Sequence, residues 1–440
     1  MSTPDTIFAP ATPIGGAICI LRVSGPNSAA ALFTLSGKKL SDHPRRMARV
    51  RLVQDGRQLD DAMTVFYSGP NSYTGEDMAE VFCHGGPAVV HAVQNALLSL
   101  GLRPAEPGEF TRRAFLNGKM DLVEAEAVMD LIQSTAERAA DAAMEQLQGR
   151  LSREITAVET LLTEALSGVS AAIDYPEELE EDVFSALPQQ LKEAEDALSA
   201  LIAQGKTGRV LREGLRVALV GRPNAGKSSL MNALLGFPRA IVTPQAGTTR
   251  DVLEEQLSLD GIPVRLFDTA GLRETEDEAE REGVTRAREA MQKADLALLL
   301  LDGATPLTPQ DCALLEETRE AKRVVLQTKI DLPAAWELDI FSQEEQVLSV
   351  SARTGEGLDA LIDVIRLAAG PVSGAYVTNA RHVRALEEAL AFLRSAQSAP
   401  EADCMATDLR GALLSLGSIT GSTVDEAVIN RIFERFCVGK

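Results

Sequence analysis

Aromatic side chains are scarce in this sequence: they make up 4% of 440 residues, with one tryptophan and four tyrosines. That excludes a surface that reads nucleic acid mainly by stacking bases on exposed rings. Positive charge is also short, with 43 Lys and Arg against 64 Asp and Glu and a net charge of −21. A phosphate-rich partner is repelled at long range unless a local basic patch or a second protein offsets that field. The five cysteines Cys19, Cys83, Cys312, Cys404 and Cys437 are scattered, odd in number and form no CxxC pair. This excludes a disulfide framework and a cysteine-based zinc site. No apolar run approaches the length of a membrane span, and Met1-Ser-Thr-Pro-Asp5 does not begin a basic-then-apolar leader. The expectation is a cytoplasmic protein with no membrane partner.

What is present is a chain too long for one core, 45% hydrophobic and 24% charged, which implies several domains. Up to about residue 118 short apolar runs, such as Ala17–Leu21 and Ala62–Tyr67, are broken by glycine and proline, the pattern of an α+β domain. From Asp121 to Leu201 the periodicity is helical, with Val128, Ile132, Ala136, Ala139 and Ala143 spaced as an apolar stripe. The acidic, proline-containing stretch Asp174–Asp182 predicts a solvated turn, and Gly205-Lys-Thr-Gly208 predicts a linker. Strand and helix signals then alternate from Leu215 to Ala369, and helical texture returns from Arg381 to Phe436. The fold expected is multidomain, α+β and α/β: an N-terminal α+β domain over 1–118, a discontinuous helical domain over 119–210 and 373–440, and an inserted Ras-like P-loop unit over 211–372. Insertion agrees with the usual closeness of domain termini.

The inserted unit carries the chemistry. Gly221-Arg-Pro-Asn-Ala-Gly-Lys-Ser228 matches GxxxxGK[ST] between the apolar strand Leu215–Val220 and the helical run Ser229–Leu235. Backbone N–H groups of Asn224, Ala225 and Gly226 wrap phosphates in such a loop, Lys227 reaches the β and γ oxygens, and Ser228 is a Mg²⁺ ligand, with Ser229 following. Asp268-Thr269-Ala270-Gly271 follows the strand Val264–Phe267, where a carboxylate supports Mg²⁺ and a glycine senses the γ-phosphate. Thr328-Lys329-Ile330-Asp331 and Ser351-Ala352-Arg353 each end a strand and resemble the NKxD and SAK elements that read guanine. An aspartate accepts from both N1–H and the exocyclic amine of guanine, a pair adenine lacks, so GTP is favoured over ATP. Threonine at 328 is expected to lose local hydrogen bonding and weaken affinity, and Arg353 replaces the usual lysine.

Leu272 occupies the place where Ras-like GTPases carry a water-orienting glutamine. Three features stand as substitutes. Asn224 is able to direct its side-chain oxygen to a monovalent cation near the phosphates. The segment Thr243-Pro244-Gln245-Ala246-Gly247-Thr248-Thr249 lies where a switch loop belongs, with Thr249 able to close on Mg²⁺. Glu280 ends the acidic run from Glu274, which also reads as a solvated helix start.

The P-loop, Gly247-Thr-Thr-Arg-Asp251 and Asp268–Gly271 resemble the TrmE–Era–EngA–YihA group of GTPases. With Phe436-Cys-Val-Gly-Lys440 added, the whole chain resembles the MnmE (TrmE) family of tRNA-modification GTPases. The resemblance implies an N-terminal folate-binding and dimerisation domain, a discontinuous helical domain and an inserted G domain. It implies K⁺ on Asn224, Thr243, Gln245 and Thr248, Mg²⁺ on Ser228 and Thr249, and water positioning by Glu280. It places folate (5,10-methylenetetrahydrofolate, or 5-formyltetrahydrofolate as analogue) at Arg22, Glu80, Lys119 and Lys440, which otherwise read as surface charges. It implies a potassium-activated GTPase modifying C5 of the tRNA wobble uridine (aminomethyl or carboxymethylaminomethyl group), with an FAD-dependent MnmG-type partner in a heterotetramer and G-domain pairing in a homodimer. Valine at 438 departs from the family's usual isoleucine.

Cys437 stays open between a thiolate in the modification chemistry and a structural thiol; lysine at 440 and the lack of a basic run argue against lipidation. Arg45, Arg46, Arg49, Arg51 and Arg57 read as an RNA contact or as a solvated strand face. The rival to the modification reading is an Era-like switch GTPase in ribosome assembly, which would carry a KH domain after the G domain. A dynamin-like membrane role would need a basic amphipathic segment, which the sequence lacks.

Overall fold

The computed structural model describes residues 5–238, 240–242, 254–268, 294–342, 345–370, 374 and 376–439. Within these, side chains are described for all but residues 176–184, 241, 242, 254, 268 and 339. The chain divides into two compact units, Met1–Met129 with Leu414–Lys440, and Asp130–Leu413.

The first unit is built on strands β1 (Ile7–Pro10), β2 (Ile18–Ser24), β3 (Ala48–Gln54), β4 (Arg57–Tyr67), β5 (Met78–His84) and β6 (Arg103–Pro104), in the order β3-β4-β5-β2-β1-β6. Period-two alternation sorts the strand residues between the two faces of the sheet. Ala79, Val81 and Cys83 of β5 join a core with Leu21, Val23, Val50 and Leu52. Helices Ser28–Ser36 and Pro87–Ser99 supply Leu32, Leu35, Val90, Val93 and Leu97 to the same core. Burying each large side chain of this kind contributes about 1.5–3 kcal/mol. The opposite sheet face holds Glu80, paired in register with Arg22 of β2.

The C-terminal segment shares a further core with residues 115–129. Leu122, Ala125 and Met129 pack with Ile429, Phe433 and Phe436, and the Phe433 ring lies 6.4 Å from Phe115 and 5.0 Å from Phe436. Gly108 makes this approach feasible, because at φ 67° a Cβ there would sit 2.6 Å from the Phe433 carbonyl oxygen.

The second unit holds a seven-stranded sheet: β7 (Leu215–Val220), β8 (Ala240–Val242), β9 (Glu254–Leu259), β10 (Ile262–Asp268), β11 (Leu296–Asp302), β12 (Arg323–Thr328) and β13 (Val347–Val350). The order is β13-β12-β11-β7-β10-β9-β8. The first five strands in this order are parallel, as the alternating pattern predicts, and β9 and β8 add an antiparallel edge. Every residue of β11 is buried, as a central parallel strand covered on both faces requires. Strands β7, β11 and β12 end on one edge of the sheet, the edge where open α/β sheets bind ligands.

Three expectations for the helices change. The run from Asp121 breaks after Gln133 and resumes at Glu137, so the stripe is not continuous: Ala136 and Ala143 are buried while Ile132 is 45% exposed. The acidic stretch 174–182 is not a long turn. Helix Arg150–Asp174 stops, Tyr175 alone interrupts, and helix Pro176–Glu213 begins with proline where its missing N–H costs no hydrogen bond. Gly205 and Gly208 are not a linker but lie inside that helix. A Cβ on Gly205 would stand 2.6 Å from Val383 Cγ2, and one on Gly208 would stand 1.8 Å from the Val377 carbonyl oxygen. These glycines are there for close packing against helix Ala380–Gln397 and the segment before it, at the cost of helix propensity.

Candidate functional site

The loop after β7 is held by backbone geometry that few residues accept. Asn224 has φ 66° and Gly226 φ 101°; asparagine is one of the few side chains that tolerates this region. A Cβ on Gly221 would lie 2.7 Å from the Leu300 carbonyl oxygen. Helix Lys227–Leu235 starts at once, so its free N–H groups face the loop. The buried Lys227 ammonium donates to the carbonyls of Gly221 at 2.6 Å and Arg222 at 2.9 Å. Ala225 is buried, whereas Asn224, Ser228 and Ser229 stand exposed.

Two strand ends meet this loop. The Thr328 hydroxyl lies 2.7 Å from the carbonyl oxygen of Ala225 and 3.1 Å from that of Leu301, and donates there. Threonine thus keeps one tie at this position, with fewer donors than an asparagine amide would offer. Threonine is shorter than asparagine, yet β12 brings it close enough to tie directly to the phosphate loop. Lys329 adopts φ 60° and its ammonium meets Asp302 Oδ2 at 2.7 Å. Ser351 is fully buried; its hydroxyl donates to Asp331 Oδ1 at 2.7 Å and accepts from the Thr354 N–H at 3.1 Å. Both capacities of that hydroxyl are used, which fixes the Asp331 carboxylate for a bidentate acceptor role. Arg353 sits 3.8 Å from Asp331 with its side chain 82% exposed, and Ala352 precedes it. Asp268 ends β10 in register with Leu219 of β7. Thr243, Pro244, Gln245, Ala246, Gly247, Thr248, Thr249, Thr269, Ala270, Gly271, Leu272 and Glu280 lie outside the described residues.

Sequence reasoning missed Asp302, the partner of Lys329. Its signal was a carboxylate ending the most apolar strand of the chain. It also missed Arg222 and Asp311, which form an ion pair at 3.3 Å.

A cavity of about 570 Å³ lies in the first unit. It gathers three of the four expected folate residues, Arg22, Glu80 and Lys119, with Tyr67, Tyr73 and Arg45. Arg22 Nη2 donates to Glu80 Oε1 at 2.9 Å, the Tyr67 hydroxyl donates to Glu80 Oε2 at 3.3 Å, and the Arg22 guanidinium stands 5.1 Å from the centre of the Tyr73 ring. Burial, then the neighbouring Glu80 carboxylate, pushes the Tyr67 phenol above its ordinary pKa; burial does the same to Tyr73. Lys119 Nζ donates to the Pro70 carbonyl at 3.0 Å. Lys440 lies outside the described residues, but its neighbour Gly439 offers a carbonyl 3.5 Å from Arg22 Nη1. Two of the four tyrosines in the sequence line this cavity, a concentration invisible to a linear reading.

The Cys437 side chain is exposed and its carbonyl accepts from the Gly108 N–H at 3.3 Å. Within the basic stretch, Arg49 is tied bidentately to Asp61 at 2.9 and 2.5 Å, and Arg45 donates to the Asn71 carbonyl. No helix among the described residues is long and apolar enough to cross a membrane.

Comparison with known proteins finds relatives along nearly the whole chain. The family profile described as GTP-binding protein TrmE N-terminus matches residues 6–119, and that described as MnmE helical domain matches residues 122–437. The tRNA modification GTPase MnmE of Heliobacterium modesticaldum is 44% identical over 464 residues, 99% of each chain. The proteins of the same name from Symbiobacterium thermophilum and Chloroflexus aurantiacus are each 44% identical, over 99% of this chain and 99% and 100% of theirs.

Proposed function

The chain belongs to the MnmE family of tRNA modification GTPases, and from that premise we propose that it binds and hydrolyses GTP and takes part in modifying C5 of the tRNA wobble uridine. The observation that carries the GTP half is the bonded frame in which Thr328 ties the guanine-reading strand to Ala225 of the phosphate loop. The Asp331 carboxylate, oriented by Ser351, accepts from guanine N1–H and the exocyclic amine. Lys227 and the N–H groups opening helix Lys227–Leu235 bring positive charge to the phosphates, where charge spreads as the γ-phosphoryl departs. Ser228 and Asn224 stand exposed beside Lys227 and fit, respectively, a Mg²⁺ and a K⁺ ligand role. K⁺, with Thr243, Gln245 and Thr248, would supply charge in place of an arginine finger, and Mg²⁺, with Thr249, would neutralise the β- and γ-phosphate oxygens. Glu280 would orient the attacking water.

The cavity in the first unit supports a reduced-folate role. Its Glu80 carboxylate suits the amino edge of a pterin, Tyr73 offers a ring face, and Arg45 and Lys119 suit an anionic glutamate tail. When bound, 5,10-methylenetetrahydrofolate would supply the one-carbon unit. The chain's own residues bind and orient it: Arg22 donates to one oxygen of the Glu80 side chain and Tyr67 donates to the other, which fixes that group's direction. Partners in this reading are tRNA, an FAD-dependent MnmG-type protein and a second copy of the chain.

The reading is tested by analysing tRNA from a strain lacking this chain, in which the wobble uridine should lose its C5 substituent. Unchanged tRNA sinks the modification reading. Failure of the purified chain to bind 5-formyltetrahydrofolate sinks the folate role, and equal GTP turnover in potassium and sodium sinks the cation role.

A further inference from the structure

The second residue of the phosphate loop is anchored from outside the nucleotide site. Arg222 Nε lies 3.3 Å from Asp311 Oδ1, and its Nη2 donates to the Thr305 hydroxyl. Asp311 is 1% exposed, in the first turn of helix Pro309–Glu317. Its other oxygen, Oδ2, accepts from the Thr308 N–H at 2.9 Å and the Thr308 hydroxyl at 2.7 Å. One carboxylate thus both caps a helix and pairs with the phosphate loop. The reciprocal bond of such a capping box needs no charge at the third helical position, where a neutral glutamine serves as well as a carboxylate. Burying an ionised carboxylate is costly unless its charge is matched, and Arg222 is the cation set against it.

The backbone of Arg222 is where this pairing acts. Its carbonyl, with that of Gly221, receives the Lys227 ammonium. The loop is therefore gripped at both ends, by Thr328 at Ala225 and by Asp311 and Thr305 at Arg222. Thr305 follows closely on Asp302, the partner of Lys329. We propose that Asp311 is a positioning residue for nucleotide binding: through Arg222 it holds the loop so that the Gly221 and Arg222 carbonyls keep Lys227 aimed into the phosphate site. This rests on the GTP-binding reading above.

The test compares the full-length wild type, Asp311→Asn, Arg222→Gln, Arg222→Lys, Thr308→Ala and the double variant D311N/R222Q. It uses GDP titration calorimetry, steady-state GTP hydrolysis and thermal melting. D311N should raise the GDP Kd and the KM for GTP about tenfold, with kcat changed less than about twofold. That is below the full penalty for an unpaired buried charge, because the Arg222 side chain keeps 22% exposure. R222Q should match it, R222K should fall between R222Q and wild type, and the double variant should be no worse than R222Q alone. T308A should lower the melting temperature while leaving the Kd near wild type. The inference is overturned if D311N lowers the melting temperature with no change in Kd, or costs as much in the R222Q background as in wild type. Should D311N not fold, an R222Q variant that binds GDP like wild type overturns it equally. A wild-type chain that binds no GDP sinks the GTP reading itself, and the inference with it.

Discussion

Replacing Thr328 with valine preserves the shape of the side chain and deletes one hydroxyl. That hydroxyl lies 2.7 Å from the Ala225 carbonyl and 3.1 Å from the Leu301 carbonyl, on a residue 4% exposed. It has a single proton, so one hydrogen bond is lost, worth about 0.5–1.5 kcal/mol net, and leaving a buried carbonyl without that donor brings the cost to about 1–3 kcal/mol. The broken bond joins β12, proposed to lead into the guanine-reading residues, to the proposed phosphate loop, so the cost should fall on nucleotide binding. About 1–2 kcal/mol of it corresponds to a 5- to 30-fold rise in the GDP Kd. Titration calorimetry with GDP on the full chain reads this directly. The companion variant Thr328→Asn restores the residue usual in this class and should bind within about threefold of wild type, because threonine already makes the tie. The reasoning fails if Thr328→Val binds GDP like wild type, or if Thr328→Asn tightens binding about tenfold.

Other consequences are open to simpler assays. Gly208→Ala gains about 1 kcal/mol of helix propensity, yet its Cβ would stand 1.8 Å from the Val377 carbonyl oxygen; thermal melting should show a net loss, and an unchanged or higher midpoint would contradict the packing account. With a thiol reagent near neutral pH, Cys312, Cys404 and Cys437 should react in the folded chain, while Cys19 and Cys83, both buried, wait for denaturant. Burial pushes the Cys83 thiol up to about 12, so five equally fast thiols would contradict it. At Glu109, burial pushes the carboxyl pKa up, but hydrogen bonds from Arg103, the Glu106 N–H and Arg113 outweigh it, and the net direction is down. A folded-state pKa below the unfolded value contributes stability that is present above about pH 4.3 and lost as pH falls through the folded pKa. Glu109→Gln should therefore melt lower at neutral pH and show a flatter acid dependence. Parallel curves for the two proteins would refute this.

Much of the candidate site was legible because its elements are local. The phosphate loop, Asp331 and Ser351 are each marked by a strand that ends in a short motif, and the structure brings those strand ends to one edge of the sheet. What stayed hidden was tertiary. Asp311 and Arg222 are far apart in sequence, and nothing local distinguishes Asp311 from a helix-capping residue. Tyr67 and Tyr73 come to one cavity through strand pairing and a loop, with no periodic signal linking them. The fold was misread where one residue type serves two purposes. Gly205 and Gly208 look like a flexible joint, but they are glycines because backbone and Val383 approach too closely for a side chain. Pro176 looks like a turn residue, yet it opens a helix after a one-residue break. In each case the competing explanation depends on neighbours that only the fold supplies.

The central claim, that Asp331 held by Ser351 makes this chain a guanine-specific hydrolase, is tested most directly by Asp331→Asn with GTP and XTP as alternative substrates. An asparagine amide donates to the C2 carbonyl of xanthine and accepts from its N1–H, but meets the exocyclic amine of guanine with a second donor. The account predicts that GTP turnover at limiting substrate collapses while XTP is hydrolysed with a kcat near that of wild type on GTP. Undiminished GTP turnover in the variant, with no gain on XTP, would contradict it.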